Sequence, residues 1–184
     1  MRKIVVGALL FSALAHASSI DTGKLSMSFT AFKTPKKVGV EGTFDGVNYR
    51  FNKDHSSVVR MLDKASATID VSHVNLHDAL KSKNVKEAFF DLFKDKNLRV
   101  TFRDIVAGEN QGTILASVRM NAKSVKVPMN YTIEKDQLVV TGVLDILEFG
   151  LKNALAKLAK ACEPMHQKLT WSQVQITFKA GLKD

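Results

Sequence analysis

Residues 114–133 read ILASVRMNAKSVKVPMNYTI, and their periodicity decides the fold. Ile114, Ala116, Val118 and Met120 alternate with Ser117 and Arg119; Val125, Val127, Met129, Tyr131 and Ile133 alternate with Lys126, Asn130 and Thr132. Successive side chains of a strand point to opposite faces, so each run has one apolar and one wet face, the antiparallel pattern. The same period of two extends in both directions. Upstream lie Leu25/Met27/Phe29/Ala31, Val38/Val40/Gly42/Phe44, Ala65/Ala67/Ile69/Val71 and Leu98/Val100/Phe102. Downstream lie Leu138/Val140/Gly142/Leu144 and Val174/Ile176/Phe178/Ala180. With residues 47–51 after the Asp45-Gly46 turn, about eight or nine strands are expected. Short polar joints at Gly108-Glu109-Asn110 and Glu134-Lys135-Asp136 read as hairpins. Such a set closes into a barrel or stacks as a sandwich.

Two segments depart from the alternation. Leu151, Ala154, Leu155, Leu158, Ala159 and Cys162 recur at helical spacing, with Lys152, Lys157 and Lys160 outside the stripe and Pro164 as a stop. Residues 84–93 read as a second short helix, with Asn84 as N-cap, Glu87 at the third position, and Val85, Ala88, Phe89, Leu92 and Phe93 on the apolar side. No repeat, low-complexity segment or interdomain linker interrupts the pattern, so one domain is expected.

The 184 residues carry 27 Lys+Arg against 18 Asp+Glu, a net charge of +9, and are 45% hydrophobic. That apolar fraction excludes disorder, and the single cysteine, Cys162, excludes a disulfide scaffold. The basic balance alone points to an acidic partner. The N-terminus redirects that reading. Arg2 and Lys3 precede an apolar run from residue 4 to 15, and Ala15-His16-Ala17 places small residues at the −3 and −1 positions of a cleavage site. The expectation is a secretory signal peptide over 1–17, cleaved after Ala17, and a periplasmic domain over 18–184. About twelve apolar residues are too few to span a ~30 Å hydrocarbon core. Loss of Arg2 and Lys3 lowers the net charge to +7, and an exported chain is not expected to meet nucleic acid. The remaining lysines suit transient contact with an anionic membrane surface, or simply a solvated exterior.

The order of several short motifs resembles the YceI-like family of exported lipocalin-like proteins. They are Val40-Glu41-Gly42-Thr43-Phe44, residues 67–75 (ATIDVSHVN), Leu80-Lys81-Ser82, Phe89-Phe90-Asp91, Val100-Thr101-Phe102 and residues 120–129 (MNAKSVKVPM). Glu148-Phe149-Gly150 and residues 171–178 complete the set. The chain departs from the family pattern in three places. His77-Asp78-Ala79 stands where an Arg-Asp-x-His is usual, residues 84–88 are extra, and Ala122 replaces the glycine of an Asn-Gly hairpin. The resemblance implies a mainly β fold, an antiparallel lipocalin-like β-barrel of about eight strands with two short helices. It also implies a long-chain lipid or isoprenoid ligand (an isoprenoid, a quinone-like lipid, or a fatty acid or its amide), and it suggests a homodimer formed by edge pairing.

On that reading the inward stripes line the lumen: Phe29, Val40, Phe44, Ile69, Val71, Val100, Phe102, Ala116, Val118, Val127, Met129, Val140 and Leu144, with Phe149, Leu155 and Leu158. The small residues Ala31, Gly42, Ala65, Ala67, Ala116 and Gly142 are expected to leave room for a tail. His73, Asn75 and His77 are candidates for a polar mouth. His73 and His77, flanked by Asp70 and Asp78, would bind a metal only from a helix, whereas the alternation predicts strand through Val74 and no third His or Cys stands at ligand spacing. No metal or other cofactor is expected. Neither a Gly-x-Ser-x-Gly elbow, a phosphate-binding glycine loop nor a Cys-His pairing is present, so no catalytic residues are assigned. The rival reading is a non-carrier interaction protein, a barrel filled by its own side chains with a basic docking surface.

Overall fold

The computed structural model describes residues 19–167 and 169–183; the expected leader lies outside them. The strands are β1 (Ser19–Lys33), β2 (Val38–Phe44), β3 (Asn48–Arg50), β4 (Ser66–Asp70), β5 (Val74–Asn75), β6 (Asn97–Ala107), β7 (Gln111–Met120), β8 (Lys123–Glu134), β9 (Gln137–Asp145) and β10 (Thr170–Lys183). The helices are α1 (Val58–Leu62), α2 (Ala79–Ala88), α3 (Lys152–Ala161) and α4 (Glu163–His166). All ladders are antiparallel, in the order β3-β4-β6-β7-β8-β9-β10-β1-β2-β5.

That order closes on itself once two bends are recognised. β2 and β3 are halves of one kinked run, and β4 and β5 are halves of another. The first half of each run meets the second half of the other: Phe44 pairs Val74 and Thr43 pairs Asn75, while Asn48 pairs Thr68 and Arg50 pairs Ser66. At the bend the Asp45 N–H donates to the His73 carbonyl at 3.0 Å. Counting each kinked run once leaves eight strands around a barrel, as the resemblance implied. The second bend is a 3₁₀ turn over Val71–His73, capped by Asp70, whose carboxylate accepts from the Ser72 N–H at 2.9 Å and hydroxyl at 2.6 Å. The expected continuous strand through Val74 is therefore interrupted, because the run must turn from β6 to β2. The Ser72 hydrogen bonds hold the Asp70 carboxyl below its ordinary pKa.

The central strands follow the predicted alternation. Ile114, Ala116, Val118 and Met120 of β7 are buried, as are Val127, Met129 and Tyr131 of β8, while Arg119, Lys126 and Asn130 face solvent. The β7–β8 hairpin turns on Asn121 (φ 51°) and Ala122 (φ 62°), both in the left-handed region, as a two-residue type I′ turn requires. Asn121 is the one buried polar side chain among the described residues. It accepts from the Lys94 N–H at 2.9 Å and donates to the Phe149 carbonyl at 3.0 Å, tying two loops to the hairpin.

Each end of the barrel is covered. At one end α1 packs Met61 and Leu62 against Ile20, whose N–H lies 3.2 Å from the Met61 sulfur. At the other, α3 lays Ala154 and Leu158 inward, and Pro164 sits in the first turn of the short α4 rather than ending the chain's helical course. α2 begins earlier than expected. Asp78, not Asn84, is its N-cap, and the Asp78 carboxylate accepts from the Lys81 N–H at 2.9 Å. The helix ends before Phe89, and a 3₁₀ turn over Phe90–Leu92 completes the segment.

Candidate functional site

Under α2 and α3 the barrel interior holds a cavity of about 140 Å³. β1 lines it with Phe29, Ala31, Phe32 and Lys33, and β2 adds Val40 and Phe44. β9 and β10 supply Leu144, Val174 and Ile176, and Trp171 stands at the rim. The helices close the top with Leu155 and Leu158 from α3, then Cys162, and with Lys81, Asn84 and Val85 from α2. Phe89, Phe90 and Phe93 stack edge-to-face with centroids 5.1–5.3 Å apart, and the first two line the same space.

Two smaller cavities continue the first toward α1. One of about 50 Å³ shares Phe29, Phe44, Leu98, Leu144 and Ile176 with it. Another of about 20 Å³ shares Met27, Val100, Phe102 and Phe178 with the second. Aromatic pairs mark the divisions: Phe29–Phe44 at 5.3 Å and Phe102–Phe178 at 6.2 Å between centroids. The spaces thus form an interrupted apolar channel along the barrel.

Several predicted lining residues meet there. Phe29, Val40, Phe44, Leu144, Leu155 and Leu158 face the large cavity, and Ile69, Val100, Phe102, Val118 and Met129 join Phe29, Phe44 and Leu144 around the second. Val71, Ala116, Val127, Val140 and Phe149 are buried but border none of the three spaces; they are packed core. The glycines do not leave the room expected of them. A Cβ on Gly42 would sit 2.5 Å from the Phe29 ring, and one on Gly142 would sit 2.8 Å from Met129, so neighbouring strands already fill both positions. Ala31, Ala65 and Ala67 do border cavities.

The expected polar mouth is elsewhere. His73 is exposed on the 3₁₀ turn, and His77 is exposed with φ 55°. Asn75 Oδ1 accepts from the His77 N–H at 2.9 Å, which shapes the corner leading into α2. None of the three borders a cavity, although Leu76 between them does. The polar groups at the cavity are instead Lys33, Lys81, Asn84 and Thr170, with the rim indole of Trp171 donating to the Thr34 carbonyl at 2.8 Å. The signal for Lys33 lay in the alternation itself, since the inward stripe Phe29, Ala31 reaches it two residues later. The Lys37 ammonium lies 5.2 Å from the Trp171 ring centroid and 5.0 Å from that of Phe32, bracing the turn beside the mouth. Burial pushes the Cys162 thiol's pKa up, partly countered by the positive charge of Lys33. Among the described residues no three His, Cys, Asp or Glu side chains gather as a metal site.

A long barrel with an apolar channel and a helical cover is the architecture that the motif order implied, and the YceI-like domain pattern matches residues 19–182. The chain belongs to the YceI-like family. Solved structures share the YceI-like fold at low identity. The chain is similar to BcnA of Burkholderia cenocepacia (TM-score 0.61, 19% identity, covering 90% of this chain and 99% of that one). It is similar also to a polyisoprenoid binding domain of Saccharophagus degradans implicated in plant cell wall breakdown (0.60, 13%, covering 91% and 98%). The YceI protein of Campylobacter jejuni matches at 0.61 and 12%, covering 80% and 86%. A search of the curated proteins found no match.

Proposed function

We propose that the protein is an exported, periplasmic carrier that holds the tail of a long-chain amphiphile in the barrel and performs no chemistry on it. The in-line apolar cavities carry this reading, because a barrel packed solid by its own side chains has no such series of spaces. The family membership and the description of the Saccharophagus degradans relative as a polyisoprenoid binding domain support the lipid class.

The volumes say how binding must work. An apolar void of roughly 150 Å³ accepts a benzene-sized guest and stays dry without one. The 140 Å³ cavity therefore accommodates only the first few carbons of a tail. A longer chain reaches the 50 Å³ space by displacing the Phe29–Phe44 pair, both half-buried and held by ring contacts rather than hydrogen bonds. Burying about ten methylenes contributes ~8 kcal/mol. That is enough to offset two rotamer changes at roughly 1 kcal/mol each and leave useful affinity.

The exposed Lys81 and Lys83 of α2 and Lys152, Lys157 and Lys160 of α3 surround the cover, a basic face suited to anionic lipid where cargo is exchanged. The carrier reading is tested by organic extraction and mass spectrometry of protein released from its native host by osmotic shock without detergent. A stoichiometric long-tailed lipid is expected. Ala31→Trp, which projects an indole into the large cavity from β1, should lower occupancy at least tenfold while the circular dichroism spectrum is retained. Lipid-free protein from the host, or full occupancy in the folded variant, would refute it.

A further inference from the structure

The wall of the large cavity is uneven in charge. Among the described residues it contains no carboxylate, and its ionisable groups are Lys33, Lys81 and Cys162. Lys33 ends the inward stripe of β1 after Phe29 and Ala31, directly opposite Thr170 in register. It is half-buried, and among the described residues its ammonium makes no hydrogen bond or ion pair. Lys81 has only Asp78 at 3.7 Å, on the solvent side of its helix start. Asn84, one turn further along α2, is half-buried with its amide unpartnered, and it borders the cavity beside Lys81. A lysine whose aliphatic stem lies along an apolar wall carries its ammonium to the nearest polar opening, where an anionic group can meet it.

From this placement we infer that the ligand's head group is an anion, a carboxylate or phosphate monoester, held between Lys33 of β1 and Lys81 and Asn84 of α2 while the tail runs inward past Phe29. This rests on the carrier reading and narrows it. Amide, alcohol and quinone heads would leave the Lys33 charge without a partner. The position of Lys33 also explains why the cation is not replaced by an apolar residue where the stripe reaches the mouth: the aliphatic stem continues the lining and the ammonium reaches the head. Cys162 of the helical cover lines the same cavity wall as Lys33.

The experiment measures binding of oleate, oleyl phosphate, oleyl alcohol and oleamide to delipidated mature protein by calorimetry, for the unsubstituted chain and for Lys33→Met, Lys33→Arg and Lys81→Met. The two anions are expected to bind at least tenfold more tightly than the two neutral compounds. That ratio should fall toward one in Lys33→Met, fall partway in Lys81→Met, and be kept in Lys33→Arg. Because it is a ratio within one protein, a general loss of stability does not imitate it. The tighter of the two anions identifies the head as carboxylate or phosphate. Equal binding of all four compounds to the unsubstituted chain overturns the head-group assignment and leaves the carrier standing. A preference that survives in Lys33→Met overturns the role of Lys33. Failure of all four to bind overturns the carrier reading and this inference with it.

Discussion

Removing the Asn121 side chain should unfasten three parts of the barrel at once. Its carboxamide oxygen is the acceptor for the Lys94 N–H, 2.9 Å away, and its amide nitrogen donates to the Phe149 carbonyl at 3.0 Å. The site is only 8% exposed, so water does not readily replace either bond. A buried donor or acceptor left without a partner costs about 1–3 kcal/mol, so the pair together is worth roughly 4 kcal/mol. The backbone adds a second effect: alanine at φ 51° is strained by about 1 kcal/mol, whereas glycine is not. Asn121→Ala should therefore lose about 5 kcal/mol and Asn121→Gly about 3–4 kcal/mol, the difference isolating the turn from the hydrogen bonds. With a urea slope of up to ~3 kcal/mol/M, the midpoint of the glycine variant should fall by roughly 1 M or more. Urea unfolding followed by the fluorescence of Trp171, the single tryptophan, and by circular dichroism reads this directly. A glycine variant within about 0.3 M of the unsubstituted protein, at unchanged slope, would refute the claim that the two hydrogen bonds fasten these loops.

Ala122 at φ 62° holds the second strained position of the same hairpin, and Ala122→Gly should stabilise by about 0.5–1 kcal/mol, raising the melting temperature by roughly 2–3 °C. Calorimetry checks it, and an unchanged or lowered melting temperature contradicts the strain argument. Asp78 caps α2, and its hydrogen bond from the Lys81 N–H holds its carboxyl below the ordinary value. A carboxyl depressed in the folded state contributes stability above its unfolded pKa of about 3.9, and that contribution is lost as pH falls through the folded value. Asp78→Ala should thus be less stable than the unsubstituted chain at neutral pH, with the gap narrowing below about pH 4; a gap independent of pH down to pH 2 would show that the carboxylate charge is not what caps the helix.

The strands were legible because burying one face of a sheet writes itself into every second residue, as β7 and β8 show. Helix α3 was legible for the same reason at its own period. α2 was misplaced because none of its residues is fully buried and Leu80 is 64% exposed, so no stripe marks its start; its position depends on a cap, and both Asp78 and Asn84 could serve. The cavity was only partly legible. Which inward residues border space and which are packed depends on cross-strand register: Phe29 opposite Gly42 fills a gap that composition alone presents as empty. Lys33 escapes a reading by pattern because a charged residue ends an apolar stripe, although here it lines the same cavity as Phe29 and Ala31.

The pairing of the two kinked runs has a consequence for access. β2 pairs with β5 only at Thr43 and Phe44, so residues 38–42 have a ladder partner on the β1 side alone. Parting strands along a full ladder, such as β7 from β8, breaks a row of hydrogen bonds, each worth about 0.5–1.5 kcal/mol net. Along the outer edge of residues 38–42 there is no ladder bond to break, and α2, which lines the same cavity, has no fully buried residue holding it down. The barrel wall is unstitched along this edge of β2, and Val40 on that edge lines the 140 Å³ cavity.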